Sequence, residues 1–312
     1  MRNAFAEEIA RLAAEDSRVV VLSGDIGNRL FRGFKSVAGG RFLNCGVAEA
    51  NMMGVAAGMA LSGLRPFVYT IAPFATTRCL EQIRIDVCYH RAPVTIVGTG
   101  SGLSYAELGP THHSCEDLAI LRALPDMTVV APGDAIELRC AVRAALRHDG
   151  PIYIRIGKKG EPDVHRTEPE LRFGKAIRIR EGRDACILST GTMLPVAVGA
   201  AELLAAEGLS VGVESFHTIK PLDEERLEGL GRTCRLLVTL EEHSRIGGLG
   251  GAVSEWLAGA GREVEAKLVI CGVDDAFMLE IGTQDYARRK FGLTPEAVAA
   301  KLRTGLGARR AM

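Results

Sequence analysis

Short β-branched runs alternate with longer apolar-periodic segments along the whole of this 312-residue chain, and no other feature restricts the fold as much. The runs are Val19–Ser23, Phe67–Thr70, Val94–Val97, Met127–Val130 and Ile152–Arg155 in the first half, and Cys186–Ser189, Val211–Glu214, Leu236–Leu240 and Lys267–Ile270 in the second. Runs this apolar suit strands covered on both faces, and the segments between them (75–90, 135–147, 194–207, 295–306) have helical spacing. The expected fold is α/β, with mostly parallel sheets flanked by helices. A chain of this length exceeds what one core usually serves. The polar, proline-bearing stretch 157–170 is the natural break. It predicts two doubly wound domains, residues 1–165 and 172–308, followed by a frayed Arg309-Arg310 tail.

Composition excludes several function classes. With 38 basic and 38 acidic residues there is no charge excess to hold a nucleic acid. The longest apolar stretch, Met52 to Leu64, holds three glycines and falls short of the roughly 20 residues of a membrane span. The N-terminal segment reads as an amphipathic helix with acidic residues instead of a signal peptide, so a cytoplasmic location is expected. The eight cysteines are scattered without a C-x-x-C pair and read as reduced core residues.

Ligands of open parallel sheets collect beyond the carboxyl ends of strands. Four unusual loops lie there, at 23–29, 46–54, 72–78 and 98–113, all in the first domain. Glu49 stands at an otherwise apolar helix start, where a carboxylate either caps the helix or serves as a functional acid. His112 and His113 follow a Gly-Pro turn, which suits either ligand contact or a surface turn, and no partner at ligand spacing supports zinc. Gly98-Thr-Gly-Ser-Gly102 opens no helix and fails as a dinucleotide fingerprint. Gly24-Asp25 followed by Asn51 imitates the motif by which thiamine diphosphate enzymes bind Mg²⁺. Ile26 and Ala50 break that motif, and no metal ligands are assigned to this chain.

Taken together, five stretches resemble the transketolase family: Gly46-Val-Ala-Glu49-Ala-Asn, Phe74 with Arg78 and Glu81-Gln82, Leu108-Gly-Pro-Thr-His112-His113, Ile219-Lys-Pro-Leu-Asp and Glu241-Glu-His-Ser with Gly247-Gly-Leu-Gly. They occur in family order. The resemblance implies a pyrimidine-binding domain followed by a transketolase C-terminal domain, the second half of a split enzyme. It implies thiamine diphosphate as cofactor, with Mg²⁺ and the diphosphate held by a separate N-terminal subunit, and transfer of a two-carbon glycolaldehyde unit from a ketose to an aldose.

By the same resemblance Glu49 holds the pyrimidine ring nitrogen, Phe74 stacks on that ring, and Asp25 and Arg78 lie near the cofactor. His112 is placed at the substrate hydroxyls as a proton shuttle, with His113 beside it. The C-terminal domain builds the subunit interface, giving an expected α2β2 assembly in which His217 and His243 are structural. Leu108 stands where the family commonly has an acidic residue, and a phosphate-binding His is missing near Gly100. Arg29, Arg155 and Lys158 are therefore the candidates for an anionic substrate end, with surface charge or ion pairing as the plain alternative. Rival readings are the β subunit of a 2-oxo acid dehydrogenase, a deoxyxylulose-phosphate-synthase-like enzyme, and a non-catalytic assembly subunit.

Overall fold

In a computed structural model, residues 1–259 and 264–307 are described. Residue 308, the expected end of the second domain, and the Arg309-Arg310 tail lie outside the described residues. The first domain runs α1 (Arg2–Glu15), β1 (Val19–Ser23), α2 (Arg32–Ala38), β2 (Phe42–Asn44), α3 (Glu49–Leu61), β3 (Arg65–Ile71), α4 (Ala72–Ala75), α5 (Leu80–Gln82), β4 (Thr95–Thr99), α6 (Asp117–Arg122), β5 (Thr128–Val130), α7 (Ala135–Leu146) and β6 (Ile152–Ile156). The second runs β7 (Ile177–Arg180), β8 (Ala185–Ser189), α8 (Leu194–Ala206), β9 (Val211–Ser215), β10 (Thr218–Lys220), α9 (Glu224–Thr233), β11 (Leu236–Ser244), α10 (Leu249–Leu257), β12 (Lys267–Val273), α11 (Gln284–Lys290) and α12 (Pro295–Leu306).

Among the described residues these strands form two sheets, ordered β10-β5-β6-β4-β3-β1-β2 and β12-β11-β8-β9-β7. All neighbours are parallel except β10 on β5 and β7 on β9. The two doubly wound, mostly parallel sheets are thus those read from the sequence. The central strands β1, β4, β6, β8 and β9 are buried along their whole length, which is why they read as short, mostly apolar runs without in-out alternation. On one face of the first sheet Phe5 of α1 stacks on Tyr69 of β3, with ring centroids 5.6 Å apart, and Phe31 meets both edge-on. Burial of one such ring stabilises the fold by roughly 1.5–3 kcal/mol.

Two local expectations give way. Thr218–Lys220, which overlaps the start of the second-domain stretch Ile219-Lys-Pro-Leu-Asp, crosses over and becomes the edge strand of the first sheet. The domains therefore share a sheet edge instead of meeting only at a linker. The single helix expected over 75–90 is broken: Thr76 and Thr77 turn their hydroxyls back onto the carbonyls of Ala72 and Pro73, both at 2.8 Å. Such bonds compete with the helical ladder. A 3₁₀ turn and, from Ile83 to Tyr89, a π-helical stretch follow. All eight cysteines are free, six buried and Cys45 and Cys115 partly so. Among the described residues no helix is long and apolar enough to cross a membrane.

Candidate functional site

Strand β1 ends at Ser23, and the chain turns through Gly24 and Asp25 under the end of β3. Gly24 lies so close that a Cβ there would come within 2.9 Å of Thr70 Oγ1 and 3.3 Å of Glu49 Oε1. Glu49, the first residue of α3, is only 2% exposed. It does not cap its helix. Its Oε2 accepts a hydrogen bond from Arg78 Nη1 at 2.8 Å, and its Oε1 faces the Thr70 hydroxyl at 3.3 Å. A buried carboxylate needs such partners, since an unpaired one is strongly disfavoured.

Breakage of the 75–90 helix places Phe74 and Arg78 on one side of the site. The Arg78 guanidinium carbon lies 4.0 Å from the centre of the Phe74 ring, a cation–π arrangement. His112 meets the same ring edge-on at 5.3 Å and Tyr105 at 6.0 Å. Thr111 Oγ1 lies 2.9 Å from His112 Nδ1, which leaves Nε2 as the free ring nitrogen. Lys158 Nζ sits 4.4 Å from the centre of the Tyr105 ring and pairs with Glu107. Glu49, Arg78, Phe74, His112, Tyr105 and Lys158 thus form one chain of contacts across the carboxyl edge of the sheet.

Asp25 is exposed, in the left-handed region with φ 56°, and accepts from Asn44 Nδ2 at 2.9 Å. It caps no helix, because α2 starts after Phe31. Next to it Arg29 lines a cavity of about 440 Å³ with Arg2, Tyr69 and Tyr105. Leu108 is exposed at the loop rim. Gly100 has φ +78°, and a Cβ on it would lie 1.9 Å from the Tyr105 ring. Tyr105 therefore fills the space that a histidine at that position would need.

Two expectations are corrected. Arg155 is not available to a substrate: it is 2% exposed, its Nε donates to both Asp117 oxygens at 3.1 and 2.8 Å, and its Nη2 donates to the carbonyls of Ser114 and Glu242. His113 does not join His112. It is buried, burial pushes its pKa down, and it lines a separate cavity of about 420 Å³ with Leu103, Cys115 and Met278. Arg2 was not singled out from the sequence, where nothing distinguishes it from any other charge on an amphipathic helix.

The transketolase pyrimidine binding domain matches residues 1–161 and the transketolase C-terminal domain matches residues 174–298. The chain belongs to the transketolase family. It is 39% identical over 299 residues to the 6-deoxy-6-sulfo-D-fructose transketolase subunit SqwH of Clostridium sp. strain MSTE9, covering 96% of this chain and 92% of that one. It is 36% identical to the 1-deoxy-D-xylulose-5-phosphate synthase of Syntrophotalea carbinolica, over 96% of this chain but only 47% of the synthase. A solved split-gene transketolase, described as an inactive β4 tetramer, superposes with a TM-score of 0.89 at 37% identity, covering 99% of this chain and 98% of that chain. Membership of the family implies dependence on thiamine diphosphate and a transferase role.

Proposed function

We propose that this chain is the pyrimidine-side subunit of a split, thiamine-diphosphate-dependent transketolase that moves a two-carbon glycolaldehyde unit from a ketose with an anionic end to an aldose. The observation that carries the reading is the meeting of Glu49, Phe74 and His112 within one site. When bound, thiamine diphosphate supplies a carbanion that makes and breaks carbon–carbon bonds beside a carbonyl. The residues present fit its aminopyrimidine: a buried carboxylate for the ring nitrogen and a half-exposed aromatic face for the ring.

Arg78 lies over that aromatic face and holds the carboxylate, so it must swing aside for the ring to stack. With the guanidinium displaced, the Glu49 carboxyl would hold the ring nitrogen through a proton shared between them. His112, oriented by Thr111 and wedged between Phe74 and Tyr105, holds and moves a proton at Nε2. Arg2 and Arg29, on the cavity beside Tyr105, suit a phosphate or sulfonate on the far end of the sugar. Lys158, although paired with Glu107, stands at the same rim.

The diphosphate and Mg²⁺ are assigned to a separate N-terminal subunit, because Gly24-Asp25-Ile26 and Ala50-Asn51 break the metal motif within this chain. Support for a split enzyme comes from similarity along nearly the whole length of proteins called a transketolase subunit and a split-gene transketolase. An α2β2 complex in the cytoplasm is the corresponding assembly. The synthase-like reading has the 36% relative in its favour. One assay separates them: the chain and a candidate diphosphate-binding N-terminal subunit are supplied with a ketose panel or with pyruvate as donor. Glycolaldehyde transfer from a ketose supports the transketolase, and condensation from pyruvate with loss of carbon dioxide supports the synthase. Assembly without cofactor binding would leave the non-catalytic subunit.

A further inference from the structure

The loop that presents His112 is closed at its neck by a two-residue bridge, in which Gly102 N donates to Ser114 O at 3.1 Å and Ser114 N donates to Gly102 O at 2.9 Å. Within the neck lie Tyr105, Leu108, His112 and His113. The neck does not stand alone. Glu242, at the carboxyl end of β11 in the second domain, is 1% exposed, and its Oε1 accepts from Leu103 N at 2.7 Å.

From the other side, helix α11 holds the same carboxylate. Arg288 Nε donates to Oε2 at 2.5 Å, and Gln284 Nε2 donates to Oε1 at 2.9 Å while also reaching Ser104 Oγ at 3.2 Å. The Glu242 carbonyl accepts from Arg155 Nη2 at 2.9 Å, and the same nitrogen donates to Ser114 O at 2.6 Å. Gly102, with φ +57°, lies flat against Glu242: a Cβ there would sit 2.4 Å from its carbonyl oxygen and 2.7 Å from its Oε1. One strand of the neck is therefore fastened directly to the Glu242 carboxylate of the other domain, and the second is joined to the Glu242 carbonyl through Arg155.

We infer that Glu242 is a positioning residue for the His112 loop, so that the second domain takes part in catalysis by setting where His112 stands against Phe74. The role in turnover rests on the proposed transketolase reading, whereas the clamp itself does not. Physically, a buried carboxylate with a main-chain N–H and two side-chain donors is rigid, because each donor would be left unsatisfied if it moved. A neck fixed at 102–103 and 114 leaves the intervening residues little freedom. Misplacement of a catalytic group by about 1 Å costs on the order of 100-fold in rate.

The test compares Glu242→Ala, which removes both carboxylate acceptors and leaves only the main-chain carbonyl, with Glu242→Gln, which keeps one for Leu103 N. Hydrogen exchange is measured on the full chain by itself. Amides of 103–114 should exchange faster by on the order of ten-fold in the alanine variant, as expected on losing one buried hydrogen bond. β1, β3 and β4 should be unaffected, and glutamine should restore most of the protection. With the partner subunit, the alanine variant should bind thiamine diphosphate as wild type does but turn over on the order of 100-fold more slowly.

If Glu242→Ala does not fold, Gly102→Ala keeps the question open to refutation: it leaves Glu242 in place, pushes the neck off it and should loosen the same amides. Unchanged exchange at 103–114, or a rise spread evenly over both sheets, would overturn the clamp. A wild-type pair with no transfer activity would count against the transketolase reading alone, since exchange in the isolated chain still decides the clamp.

Discussion

The two domains are built alike, yet the carboxyl ends of their strands are put to opposite uses. In the first sheet the ends of β1 and β3 and the start of α3 open onto Phe74, Arg78, Arg29 and His112, which are partly exposed or reach a cavity, with Glu49 buried against Arg78. In the second, the end of β11 carries Glu241, Glu242 and His243, each at most 1% exposed. Glu241 accepts from Leu249 N and Gly250 N at 2.7 and 2.8 Å and so caps α10, while Glu242 faces the first domain. The same topology can leave a strand end open or close it: at the first edge several side chains reach solvent or a cavity, whereas the three residues at the end of β11 are buried and bonded within the chain. The comparison predicts that changes at the first edge reduce activity with stability kept, and that changes at the second reduce stability, activity falling there only where, as at Glu242, the His112 loop is loosened.

The largest effect is expected at Glu49. Glu49→Ala should lower transfer by about 10³-fold or more, the size seen on removing an essential catalytic group, while the complex still assembles on gel filtration. Activity within a few-fold of wild type would erase the distinction between the two edges.

Arg155, although in the first domain, belongs with the supporting set because it is buried against Asp117. Arg155→Met leaves the Asp117 charge buried and unpaired, which costs about 3–5 kcal/mol. A thermal midpoint close to wild type would contradict that placement. Arg29 offers the opposite case. Arg29→Ala should raise KM for a phosphorylated or sulfonated ketose roughly ten-fold, with kcat and thermal midpoint unchanged, as expected for loss of one charge-assisted hydrogen bond. Equal effects on an uncharged ketose would dissociate the Arg2–Arg29 cavity from the anionic end.

The smallest expected effect is the pH dependence of stability. Burial holds His217 and His243 at about 4, below the ordinary 6.5. Their unfolded forms bind protons first as pH falls, so their contribution is full above about 6.5 and is lost as the pH falls toward 4. Glu241, pushed up to about 7 by burial, works the other way: its contribution is full below its ordinary 4.5 and is lost as pH rises through 7. Between pH 7 and pH 4.5 two histidines oppose one glutamate, so the thermal midpoint should fall on acidification, and Glu241→Gln should steepen that fall by roughly 2–4 °C. A flatter profile in Glu241→Gln would reverse the assigned sign.

Much of this organisation was legible in the sequence, for reasons specific to particular segments. Strands covered on both faces announce themselves as apolar runs, as β1, β4 and β8 do. Strands β2 and β10 have three residues each, and β7 is an edge strand of alternating Ile and Arg, so none carries a run to read. That β10 pairs with β5 across the domain boundary is a long-range fact invisible to local periodicity.

The catalytic candidates Glu49 and His112 and the cofactor-binding candidate Phe74 were legible through motifs, and the structure brings them together. Arg155 was misread, although an arginine within Ile152-Tyr-Ile-Arg-Ile, a run fit for a central strand, signals a buried ion pair more than a ligand contact. The Arg2–Arg29 cavity and the Glu242 clamp join residues 27 and 139 positions apart, and no spacing rule connects them.

The most direct test of the central claim is a reconstitution in which this chain, wild type or Glu49→Ala, is mixed with the diphosphate-binding subunit, and thiamine diphosphate affinity and glycolaldehyde transfer are measured together. The account predicts transfer by the wild-type pair, none by either subunit alone, and an assembled but inactive Glu49→Ala pair. Transfer by this chain alone, or undiminished transfer by the Glu49→Ala pair, would contradict it.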